Sequence, residues 1–114
     1  MSIRTWRMRI DDILDAISAI EGFVADMDVA AWRQDRKTID AVIRNLEVIG
    51  EASGQIPKEV QEQYPDVPWS QMKGLRNVLA HEYFGVDTDV VWQTIQEDLP
   101  GLKKLLEKML SQIP

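Results

Sequence analysis

The chain has 114 residues, 45% of them apolar and 28% charged, and 19 acidic against 13 basic side chains leave a formal charge of −6. That length and composition suit one folded domain, residues 1–114, and exclude a disordered chain. With no cysteine and a single histidine, His81, there is no disulfide framework, no thiolate metal site, no cysteine nucleophile and no site built on two imidazoles of one chain. The acid excess disfavours a broad basic face for nucleic acid, so such a ligand would have to be held by a small local patch. Arg4, Arg7 and Arg9 precede no continuous apolar stretch, so neither a signal peptide nor a membrane span is expected. The reading at this level is a soluble protein of the reducing cytoplasm, with no cofactor expected.

Helical periodicity runs from end to end. Trp6, Ile10, Ile13, Leu14, Ile17 and Ile20 recur mostly at steps of three and four with acids between them, one apolar stripe on a long amphipathic helix. Gly22 and Phe23 weaken its tail, Asp26-Met27-Asp28 reads as a break, and Asp28 can cap a short helix at Val29 to Gln34. A second long helix follows from about Asp35 to Gly50 or beyond, with Ile39, Val42, Ile43, Leu46 and Ile49 on one side, while Gly50, Ser53 and Gly54 mark a fraying end. Pro57 starts a short piece at Lys58 to Gln63, and Tyr64-Pro65-Asp66 turns the chain. Pro68 opens the next helix, through Trp69, Met72, Leu75 and Leu79 toward Gly85, which suits a left-handed C-terminal cap. The last segment starts near Asp87 or Thr88 and carries Val91, Ile95, Leu99, Leu102, Leu105, Leu106 and Met109, with Pro100-Gly101 kinking or restarting it. No strand alternation, repeat or low-complexity tract interrupts this pattern. The expected fold is therefore all-α, an antiparallel bundle of about four or five helices joined by short connections.

The chemistry-bearing stretch is Lys73 to Gly85. With Leu75 set at the centre of the core face at about 100° per residue, Met72, Val78 and Leu79 fall within about 60° of it, and Asn77, His81 and Phe84 fall opposite, with Lys73, Arg76 and Ala80 nearby. Asn77 and His81 are one turn apart, so the amide can orient the imidazole or fix its tautomer. Arg76 and His81 are five apart, roughly 140° around the helix, and do not converge by themselves. Ala80 and Phe84 give the same face something apolar to bury. A twofold contact across this helix would bring two Arg76 and two His81 around one groove, dimerising the protein through the motif helix. Arginine offers a planar donor fork that matches phosphate, and histidine can exchange protons with a ribose 2′-hydroxyl and a leaving oxygen. Together they suffice for metal-free RNA cleavage through a cyclic phosphate, which DNA, lacking that hydroxyl, cannot undergo. From spacing alone, a solvated histidine and arginine and a half-buried Tyr83 rank ahead of this reading.

The wording of the stretch changes that balance. Arg76, Asn77, His81 and Tyr83 give arginine, a polar neighbour, then His and Tyr separated by one residue, a pattern that resembles the HEPN superfamily and, within it, the HepT-like toxins of prokaryotic toxin–antitoxin pairs. Arg44-Asn45-Leu46-Glu47-Val48-Ile49-Gly50-Glu51-Ala52, Pro68-Trp69, Gly74-Leu75, Tyr83-Phe84-Gly85-Val86-Asp87, Val91-Trp92 and Asp98-Leu99-Pro100 are similar to the family's blocks as well, so the resemblance covers nearly the whole chain. It implies a helical homodimer with the motif helices at a shared cleft, and a metal-independent endoribonuclease with Arg76 and His81 as the catalytic pair and Asn77 in support. It also implies a minimal nucleotidyltransferase antitoxin that transfers AMP to Tyr83. The substrate it implies is RNA, with tRNA and mRNA both open. The alternative is a non-catalytic helical module whose Ala80/Phe84 face mediates dimerisation or holds a nucleotidyltransferase partner.

Two weaker groupings remain. Arg44, Asn45, Glu47 and Glu51 read by default as a solvated ion-pair ladder, against a version in which Asn45 or Glu47 lines the cleft. Arg4, Arg7 and Arg9, with Arg33, Arg36 and Lys37, could extend an RNA track but are balanced by nearby acids.

Overall fold

The computed structural model describes residues 2–81 and 87–113, without the side chains of 77–81. Among these residues there are seven helices and no strand: α1 (Ile3–Val24), α2 (Val29–Gln34), α3 (Arg36–Gly54), α4 (Lys58–Gln63), α5 (Trp69–His81), α6 (Thr88–Glu97) and α7 (Leu99–Ser111). Five of them have ten or more residues and match the expected bundle; α2 and α4, six residues each, are the short pieces expected after Asp28 and Pro57.

Local chemistry sets the ends. The Ser2 hydroxyl accepts from the Thr5 amide at 3.3 Å to start α1, and the Asp28 carboxylate accepts from the Ala31 amide at 2.8 Å to start α2. Asp35 caps α3 by accepting from the Thr38 amide at 3.0 Å, and the bonds from that amide and the Thr38 side chain hold its carboxyl below the ordinary range. Asp87 caps α6 through the Asp89 and Val90 amides. The last apolar segment breaks at Asp98, so Pro100 sits in the first turn of α7, where its missing N–H leaves no helical bond unmade. Gly22 and Phe23 do not end α1, because Val24 beyond them is buried and carries the stripe one turn further.

α3 packs against both α1 and α5, α7 packs on α1 and α6, and α2 bridges α3 and α6. Ile10, Ile13, Ile17, Ile20, Leu46 and Ile49 form the dry centre, while Leu14, placed in the stripe by periodicity, is half-buried at its edge. Lys103 on α7 reaches Glu21 on α1 at 2.9 Å, which holds the ammonium's pKa above its usual value. α2 is seated by Trp32, whose ring is fully buried and whose indole N–H donates to the Thr88 carbonyl at 2.9 Å. Its centroid lies 5.5 Å from that of Trp92 with the planes tilted by 39°. Beside it, Arg33 grips Asp89 through two bonds of 2.9 Å each. No helix among the described residues is long and apolar enough to cross a membrane.

Candidate functional site

α5 carries Arg76 and ends at His81, so the two positions share one helix five residues apart, as the spacing predicted. Trp69 and Met72 on this helix are buried and Leu75 is half-buried. Among the described side chains of α5 the buried face is therefore centred nearer Met72 than Leu75. That recentring brings Arg76 to about 40° from the middle of the buried face, where a wheel centred on Leu75 puts it about 100° away.

Gly50 makes this position possible. A Cβ at Gly50 would lie 2.6 Å from the Arg76 nitrogen, 2.8 Å from its Cβ and 3.1 Å from its Cα. One turn on, a Cβ at Gly54 would meet only the Lys73 side chain, at 3.9 and 4.0 Å. Contacts that advance along α3 thus retreat along α5, so the two helices run antiparallel, with Arg76 and Lys73 rooted along their seam. The helix does end at Gly54, as the glycines predict, but it does not fray before that: Gly50 is buried, and the fully buried Ser53 hydroxyl donates to the Gly50 carbonyl at 2.9 Å. A glycine reads as a helix breaker only when nothing needs the space it leaves.

Arg76 is exposed above this root, and among the described residues no acid lies within ion-pair distance of it. Asn77, Ala80 and His81 occupy helical backbone in the last turns of α5, with their side chains outside the described residues; Tyr83, Phe84 and the expected cap Gly85 also lie outside them.

The second grouping divides. Arg44 pairs with Glu47 at 3.8 Å, as the ion-pair default has it. Asn45 donates to the Ala41 carbonyl of its own helix at 2.8 Å and lines a groove of about 500 Å³ between α1 and α3, together with Arg9, Asp12, Asp15, Arg44 and Glu51. Val48 and Ala52, in the same wall, are each two residues from Gly50 and so lie about 160° around α3 from it. Asn45 therefore lies on a different side of α3 from the Arg76 contact of its own chain. Arg9 pairs with Asp12 at 3.6 Å, Arg36 with Asp40 at 3.2 Å and Arg33 with Asp89 at 2.9 Å, so three of the six outlying cations are tied to acids, while Arg4, Arg7 and Lys37 stand exposed. Periodicity gave no hint of the Trp32 and Arg33 contacts with α6; no spacing rule links residues 56 apart.

Comparison with known proteins bears on this arrangement directly. The profile of the family described as "Ribonuclease HepT-like" matches residues 13–109, a span that contains α3, α5 and the whole motif stretch. A "Probable ribonuclease HepT" of Thermococcus cleftensis is 43% identical over 106 residues, 93% of this chain and 96% of that protein. Two provisionally named RNases, from Methanocaldococcus jannaschii and Caldanaerobacter subterraneus, are 41% identical over 107 residues and 34% over 110, covering 94% and 96% of this chain and 98% of each relative. No solved structure matches at a significant level. A match that takes in the core helices and the motif alike, at full length in these relatives, makes this chain a member of the HepT-like ribonuclease family.

Proposed function

We propose that the protein is a metal-independent endoribonuclease acting as a homodimer, with Arg76 and His81 as its catalytic pair. The observation that carries this reading is the arginine: an exposed guanidinium, free of any acid among the described residues, whose backbone is seated directly on α3. The names of the relatives point to the same substrate class. Because Arg76 and His81 are about 140° apart on one helix, a phosphodiester reaches both most easily in a cleft lined by two motif helices, with Ala80 and Phe84 buried between the copies.

In the proposed reaction one His81 imidazole takes the proton of the ribose 2′-hydroxyl as that oxygen bonds to phosphorus. The phosphorus–O5′ bond breaks, and the leaving oxygen takes a proton from the second copy's imidazolium. The products are a 2′,3′-cyclic phosphate and a 5′-hydroxyl. Arg76 holds the phosphoryl oxygens as their charge grows, and Asn77 fixes the imidazole. In the cell this activity makes the protein the toxin of a pair. The antitoxin is a minimal nucleotidyltransferase that joins AMP from ATP to the Tyr83 phenol, releasing pyrophosphate and a proton and setting bulk and negative charge beside the cleft.

Arg76→Ala and His81→Ala should each lower cleavage of a single-stranded RNA by about 10²–10⁴-fold while the helical circular dichroism is kept. Wild-type cleavage by the double-alanine protein would overturn the assignment. Co-expression with the nucleotidyltransferase should add whole AMP units to the intact mass, lost in Tyr83→Phe.

A further inference from the structure

We infer that Gly50 is a positioning residue for Arg76: by leaving α3 without a side chain at one point, it seats the α5 backbone there and thereby fixes where the guanidinium stands. The inference rests on the catalytic reading of Arg76 given above. Gly50 lies inside a 19-residue helix, where glycine is a poor choice beside alanine. What keeps it there is visible in the contacts. The atoms that an added Cβ would meet, the Arg76 nitrogen, Cα and Cβ, belong to the backbone and its root and cannot rotate away. The other described glycines differ. Gly22, Gly74 and Gly101 have nothing within 4 Å of an added Cβ, and Gly54 meets only the Cγ and Cδ of a flexible lysine at ordinary contact distance.

The size of the effect follows from the distances. Carbon atoms pack best at about 3.5–4.0 Å, so contacts of 2.6 and 2.8 Å must open by roughly 1 Å before an alanine fits at position 50. A shift of that size at a group that must meet a transition state can cost about a hundredfold in rate. Since α5 also carries His81, the whole motif helix moves, but Arg76 sits at the point of contact and moves first.

Gly54→Ala is the matched control. It makes the same change on the same helix, one turn along the same seam, without the clash. Four proteins are compared for RNA cleavage per folded molecule: wild type, Gly50→Ala, Gly54→Ala and Gly50→Ala combined with Arg76→Ala. Gly50→Ala should lose at least tenfold in kcat with KM changed less, whereas Gly54→Ala should keep the wild-type rate. In the Arg76→Ala background, Gly50→Ala should cost a smaller factor than in the wild type, because the group it displaces most is already gone and only the share carried through His81 remains; a purely structural defect would cost the same factor in both backgrounds. Equal losses in the two backgrounds, or wild-type turnover in Gly50→Ala, overturn the inference while leaving the catalytic reading intact. Undiminished cleavage by Arg76→Ala alone removes the catalytic reading, and this inference with it. If Gly50→Ala is unfolded in buffer, the comparison is made in concentrated sucrose, which favours the folded state; failure to fold even there assigns Gly50 to folding alone and overturns the positioning role.

Discussion

Replacing Trp32 with phenylalanine should destabilise the protein by about 2 kcal/mol. The residue is fully buried, and its indole N–H spans 56 positions to bond the Thr88 carbonyl at 2.9 Å. Phenylalanine keeps an apolar ring in the site but removes that donor, a loss of about 1 kcal/mol for a partly buried bond. It also leaves a void of roughly 40 Å³, which at about 24 cal/mol per Å³ adds about 1 kcal/mol. The tilted packing on Trp92 is largely retained by the six-membered ring, so it enters the sum only weakly. For a domain of this size 2 kcal/mol moves the melting temperature by about 10 °C. Urea unfolding followed by far-ultraviolet circular dichroism reads the difference, with an unchanged slope showing that only stability has changed. Hydrogen exchange should rise most at the start of α6, because that is where the lost bond ended. A change below about 0.5 kcal/mol would refute the reasoning, since only a ring half out of the core can be trimmed so cheaply.

Three further outcomes follow from the same contacts. The bonds from Arg33 hold the Asp89 carboxyl below its ordinary range, so the pair stabilises the fold above the unfolded carboxylate pKa of about 4 and loses that contribution as pH falls through the lower folded value. The stability gap between wild type and Asp89→Asn, measured by urea midpoints, should therefore be constant near neutrality and close in acid; a gap that does not change down to about pH 2 would show that the charge plays no part. Asp28→Ala should cost about 1 kcal/mol through the lost N-cap of α2, and no measurable loss would mean that Trp32 alone holds that helix. Ile17→Ala, at a site with no exposed surface, should cost about 2–5 kcal/mol in the same denaturant assay.

The sequence was most informative where structure is written locally. The limits of α2 and α4 were readable because Asp28 and Pro57 mark them within one turn, and the restart before α7 because a proline cannot sit deeper in a helix. The arginine–histidine pair was readable as a motif on one helix. Gly50 was not, since the residue that ends a helix is also the one that lets two helices touch, and only the neighbour, Arg76, tells these apart. The rotation of α5 was missed for a related reason. Leu75 and Met72 both pack on the core, and which of them sits deeper depends on how closely α3 approaches, a distance no wheel contains. The tie between Arg33 and Asp89 needed the bundle to be closed before the two could be seen as neighbours.

Electrostatics makes the proposed site testable without measuring any cleavage. The chain carries an excess of acids, and Arg9, Arg33, Arg36, Arg44 and Lys103 are each held by a carboxylate. A strand of RNA approaching such a surface meets net repulsion except where cations stand together, and Lys73 and Arg76 are one such pair, rooted one turn apart along the α3–α5 seam. Two such seams in a dimer offer two to four phosphate contacts, so binding of a single strand made inert by 2′-O-methylation should weaken with salt at a log–log slope of about −1.4 to −2.8, at roughly −0.7 per contact. Lys73→Ala should flatten the slope by the same increment per contact it removes, leaving the fold untouched because its side chain only lies along Gly54. A slope of about −6 or steeper would require a basic face wider than Lys73 and Arg76 supply and would move the RNA away from the α3–α5 seam.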